Sequence, residues 1–80
     1  MERRERKVET ESLRVSEPSG GTGFVKKETT LMRTQYTDGS WTAWMIEATR
    51  YRWNGRSVNL REDGDWETVE EEPRRLTRLP

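Results

Sequence analysis

Apolar and polar residues alternate along much of the chain, and turn residues interrupt the alternation. Val58 and Leu60 alternate with Ser57, Asn59 and Arg61, a period of two that marks a half-buried strand. The pattern predicts four strands: Phe24 to Tyr36, Trp41 to Trp53, Arg56 to Arg61, and Asp65 to Glu70. Asp38-Gly39, Asn54-Gly55 and Glu62-Asp63-Gly64 stand between them and suit tight hairpin turns, because Gly, Asn and Asp accept positive φ. Leu13 and Val15 alternate with Ser12, Arg14 and Ser16, which makes residues 8–16 a candidate fifth strand. The Glu and Arg content of residues 2–11 favours a frayed helix as the competitor. Pro18-Ser19-Gly20-Gly21-Thr22-Gly23 has the composition of a linker or long loop.

Turn length fixes register. A two-residue turn at Asp38-Gly39 sets Tyr36 opposite Trp41, Thr34 opposite Ala43 and Met32 opposite Met45. A two-residue turn at Asn54-Gly55 sets Trp53 opposite Arg56, Tyr51 opposite Val58 and Thr49 opposite Leu60. Opposed residues share a face and successive residues alternate faces. Both hairpins therefore gather Met32, Tyr36, Trp41, Ala43, Met45, Tyr51, Trp53, Val58 and Leu60 on one apolar face. A three-residue loop at Glu62-Asp63-Gly64 brings Trp66 opposite Leu60 and onto that face. Glu47 is the misfit there, and is expected at a rim or beside a cation. Asp38-Gly39-Ser40-Trp41 echoes Asp63-Gly64-Asp65-Trp66, the same hairpin chemistry used twice rather than a repeat protein.

The expected architecture is all-β: a small antiparallel meander of four strands, with residues 8–16 the candidate for a fifth, curled into a half-barrel. Residues 1–23 are expected as a flexible charged segment and Gly-rich linker, residues 24–72 as the β domain, and residues 73–80 as a basic tail. The composition fits one small domain, with 29% apolar residues, 38% charged residues and zero net charge over 80 residues. A core of that size is marginal, so a partner or self-association is expected to contribute.

Chemistry is scarce. With no His and no Cys, the chain lacks the commonest general base, the commonest metal ligand and any disulfide. The Gly-rich stretch is followed by Phe24 and Val25 rather than Gly-Lys-Ser/Thr, so it is not a phosphate loop. Asp63, Asp65 and Glu67 alternate without the Gly and distal Glu of a calcium loop. No catalytic group, cofactor, metal site or small-molecule substrate is expected. The charged N-terminus does not resemble a secretory signal, and no apolar run reaches membrane length. A cytoplasmic location is the simplest expectation.

The second sheet face carries the candidate site. The registers place Arg33, Trp44, Ile46, Arg50, Arg52, Asn59 and Arg61 there, with Lys27, Leu31 and Ala48. Two binding functions compete. An exposed patch around Trp44, or a free sheet edge, would take a protein partner or a second copy. Alternatively, Arg33, Trp44, Arg50, Arg52 and Arg61 would bind single-stranded nucleic acid, the arginines on phosphates and Trp44 on a base.

Overall fold

The computed structural model describes residues 3–80. Met1 and Glu2, which open the expected flexible segment and its helical competitor, lie outside the described residues. The described residues form six strands, β1 (Arg3–Ser16), β2 (Thr22–Gln35), β3 (Met45–Trp53), β4 (Arg56–Leu60), β5 (Trp66–Thr68) and β6 (Arg75–Arg78). Each pairs antiparallel with the next, and β6 returns to pair with β1. The meander thus closes into a barrel, where a half-barrel was expected.

Residues 3–16 and 75–78 are strands, which bears out the candidate strand at residues 8–16 and replaces the flexible segment and basic tail expected around it. Residues 3–16 pair with residues 22–35 over 14 uninterrupted positions. Helix-favouring Glu and Arg are overridden because the strand has partners for them. Glu5 meets Arg33 at 3.2 Å, and Glu11 lies opposite Lys27. At the other end, Leu76 is fully buried, and its strand pairs Trp66 with Leu76 and Val15 with Arg78.

One loop type recurs. At Glu17–Gly21, Tyr36–Ser40 and Arg61–Asp65, the first residue's N–H donates to the fifth residue's carbonyl. The fourth residue, a glycine, donates back to the first. Gly20, Gly39 and Gly64 have φ of 96°, 90° and 92°, the left-handed conformation of a three-residue hairpin loop ending in a bulge. The expected linker is therefore the first of these loops. The Asp38-Gly39 turn has three loop residues rather than two. Asn54 and Gly55 form the two-residue turn as expected, with φ of 51° and 77°.

The longer Asp38 loop changes which tryptophan faces where. Gln35, not Tyr36, lies opposite Trp41, and the Thr42 N–H donates to the Thr34 carbonyl at 2.9 Å. One extra residue before Met45 restores the expected pairing of Met32 with Met45, and a second irregularity falls where Thr30 pairs with Ala48 but Leu31 with Ile46. Glu47 is the residue left over. The β3–β4 and β4–β5 registers match expectation: Tyr51 opposite Val58, Trp53 opposite Arg56, Leu60 opposite Trp66.

The core occupies only the barrel end. Val15, Val25, Val58, Trp66 and Leu76 are buried, with Leu13, Tyr51 and Trp53 packed against them. The Tyr51 and Trp66 rings lie 5.7 Å apart at a tilt of 55°, a favoured aromatic geometry. Glu17 folds back over the barrel mouth, where its carboxylate accepts from the Trp53 indole N–H at 2.8 Å. Gly23 leaves room for it, since a β-carbon there would stand 2.8 Å from that carboxylate and displace the Glu17 side chain. Beyond the core, β1, β2 and the first half of β3 continue as a three-stranded ribbon, which gives the molecule its 55 × 27 × 22 Å extent.

Candidate binding surface

Strand parity divides the expected site. Val25 is buried, so odd residues of β2 face the core side, and the continuous register gives odd residues of β1 the same side. Leu31, Arg33, Ile46 and Lys7 therefore share the core-side face of the ribbon. Arg50 and Arg52 lie opposite Glu28 and Lys26, on the outer face, because the extra residue at Glu47 reverses the parity of β3. Ala48 goes with them. Asn59 lies opposite Glu67, also on the outer face. Of the expected site residues only Arg33, Trp44 and Ile46 stay on the core-side face, with Leu31 and Lys27 on the same side.

Around Trp44 the ribbon builds a stack of cations and rings. Lys7 Nζ lies 4.4 Å from the Trp44 ring centre and Arg33 Cζ lies 4.7 Å from it. The same guanidinium lies 4.3 Å from the Trp41 ring. Trp41 was assigned to the core by the shorter loop; the longer one turns it into this cluster. These contacts are cation–π interactions, and Glu5 fixes the far side of Arg33. Both indoles are half-buried as a result.

Other cations are also engaged. Arg6 reaches across β2 and donates to both Glu47 oxygens, at 2.8 and 3.2 Å, so the misfit glutamate does have its cation. This fork holds the Glu47 carboxyl below its ordinary range, first through the hydrogen bond and then through charge. Arg52 lies 2.8 Å from Glu28, an ion pair without hydrogen-bond geometry. Arg61 pairs with Asp63 and Glu67. A cleft of about 340 Å³ at the barrel mouth, lined in part by Trp53, Thr68, Glu70 and Arg74, is bridged by hydrogen bonds from Thr68 and Arg74 to Glu70.

What the ribbon leaves free is apolar surface and backbone. Ile46 is 70% exposed, Met45 61% and Val8 58%. β3 pairs with β4 only from Tyr51 to Trp53, and β1 pairs with β6 only at Val15 and Ser16. Among the described residues, both ribbon edges therefore lack a neighbouring strand over most of their length. No family model, curated protein or solved structure matches the chain.

Proposed function

We propose that this protein is a small, non-catalytic, cytoplasmic protein-binding module that works through its ribbon. One observation supports it above all. A three-stranded sheet runs past the core with Val8, Met45 and Ile46 exposed and both edges unpaired. Small sheets gain stability from added strands and from packing on an apolar face, and an open edge is a template for another strand. A partner that adds a strand pairs the edge and widens the sheet, while its side chains reach Val8 or Met45 on the outer face or Ile46 on the core-side face. None of the helices that would span a membrane occurs among the described residues.

The nucleic-acid alternative is weaker at its expected site. A base would have to displace Lys7 and Arg33 from Trp44, and Arg52 and Arg61 are already engaged by carboxylates. A photo-cross-linking residue at Ile46 is expected to give discrete protein adducts in cells, while one at Val69, exposed on the barrel side, gives none. Absence of adducts from positions 8, 45 and 46 would contradict the proposal. So would steep, salt-sensitive quenching of tryptophan fluorescence by single-stranded oligonucleotides, since no quenching is expected.

A further inference from the structure

The two free edges of the ribbon are not equivalent. β3 is interrupted at Glu47, and bulges of this kind blunt an edge. β1 has no interruption in its register with β2. The Leu79 N–H donates to the Arg14 carbonyl at 3.0 Å, so β6 and its continuation cover β1 as far as Arg14. From Arg3 to Leu13 the edge is free among the described residues, and the midpoint of that span is Val8. Because the Arg14 carbonyl points away from β2, the even residues of β1 direct their N–H and C=O groups outward. Val8 is one of these, and its side chain is exposed.

The sequence of this edge is self-complementary. Its first half carries four cations, Arg3, Arg4, Arg6 and Lys7, and one acid, Glu5; Glu9 and Glu11 follow Val8. Antiparallel pairing of the strand with itself is two-fold symmetric, and such an interface must match its own reverse. A two-fold axis at Val8 sets Val8 against Val8 and Lys7 against Glu9, the latter twice. Val8 with Val8, and Arg6 with Thr10, are then the hydrogen-bonded pairs, as the outward direction of even residues demands. Glu5 falls opposite Glu11, but each already faces a cation in its own chain, Arg33 and Lys27.

Resting on the binding role proposed above, we infer that one occupant of the ribbon is a second copy of this chain, paired through β1 about a two-fold axis at Val8. The two ribbons then form one continuous six-stranded sheet. Charged residues on an edge also serve to prevent pairing; here their order along the strand favours it.

Sedimentation across a concentration series tests the inference. The wild-type chain is expected to dimerise, and Lys7→Glu and Glu9→Lys each to raise the dissociation constant about tenfold or more, since each places like charges opposite one another twice. An equimolar mixture of the two variants is expected to dimerise again. Within either variant the Lys7–Glu9 contact of 3.4 Å stays broken, so only pairing between chains explains recovery. The chain has no cysteine, so a single introduced one reports the axis. Val8→Cys is expected to oxidise to a covalent dimer. Thr10→Cys is not, because its counterpart lies about four residues away, beyond the roughly 7 Å limit for a disulfide. A wild-type chain that stays monomeric, or a mixture that does not recover, overturns the second-copy inference. If Ile46 still yields adducts to other proteins in that case, the binding role stands and only the identity of this occupant fails.

Discussion

Trp66→Ala is expected to unfold the protein. Trp66 is the largest fully buried side chain, it packs on Tyr51, and its strand joins β4 to β6. Truncating a buried tryptophan costs about 3–5 kcal/mol. A core this small supplies about 3–5 kcal/mol in total, so the loss is comparable to the whole stability. Trp66→Phe separates bulk from polarity. The buried indole N–H has no hydrogen-bond partner, so removing it leaves no acceptor unsatisfied, and Phe keeps most of the apolar contact. Thermal melts followed by circular dichroism are expected to show no folding transition for the Ala variant and a lowered but cooperative one for Phe. Trp44→Ala, which loses only partly exposed cation–π contacts worth about 0.5–1 kcal/mol each, is expected to remain folded.

Removal of residues 74–80 is expected to be as damaging, although the sequence of that segment suggests a solvated tail. It takes away β6, the fully buried Leu76 and both ladders that close the barrel. Loss of a buried leucine side chain alone costs about 2–5 kcal/mol, and the cut also opens the edges of β1 and β5. A truncated chain that kept the wild-type near-ultraviolet signal and melting behaviour would show that the barrel does not depend on closure. The point variant Leu76→Ala provides a milder comparison, with the transition shifted down rather than abolished.

The difference between tail and strand shows where local pattern stops carrying information. Asn54-Gly55 fixed its register because both turn residues adopt positive φ, and Tyr51 and Val58 were apolar on both sides of it. Glu62-Asp63-Gly64 was readable because only a three-residue loop put Trp66 on the apolar face. The Asp38 loop carried the same signal: the Asp38 carboxylate accepts from the Ser40 N–H just as the Asp63 carboxylate accepts from the Asp65 N–H. The echo between the two stretches implied equal loop lengths. Reading Asp38-Gly39 as a shorter turn displaced Trp41 from the cluster it joins. β6 and the first half of β1, before the candidate strand at residues 8–16, were hidden for another reason. β1 and β6 each contribute few core side chains, Leu13 and Val15 from one and Leu76 from the other, and charged residues such as Glu5, Arg6 and Arg75 find their partners on segments distant in sequence.

The candidate site was legible to the same degree. Arg33 and Trp44 are brought together as expected, because Met32 pairs with Met45 as the sequence predicts, which sets Trp44, one residue before, against Arg33. Arg50 and Arg52 are not, because one extra residue at Glu47 reverses every side chain beyond it. Glu47 was recognisable as a misfit, yet a charged residue on an apolar face has two remedies, a bulge or a cation, and here it has both. Lys7 could not be foreseen in the cluster without knowing that β1 pairs with β2.

The closed barrel ends in a ribbon whose β1 edge is free to accept another strand. Residue-resolved amide hydrogen exchange in dilute solution reads that edge amide by amide. The odd-numbered amides of β1, bonded to β2, and those around Trp66 and Leu76 are expected to exchange slowly, while the outward amides of Arg4, Arg6, Val8, Thr10 and Ser12 exchange fast. Equal protection of odd and even amides would mean the edge is already covered, and rapid exchange of both would mean the ribbon does not form; either result would contradict the claim.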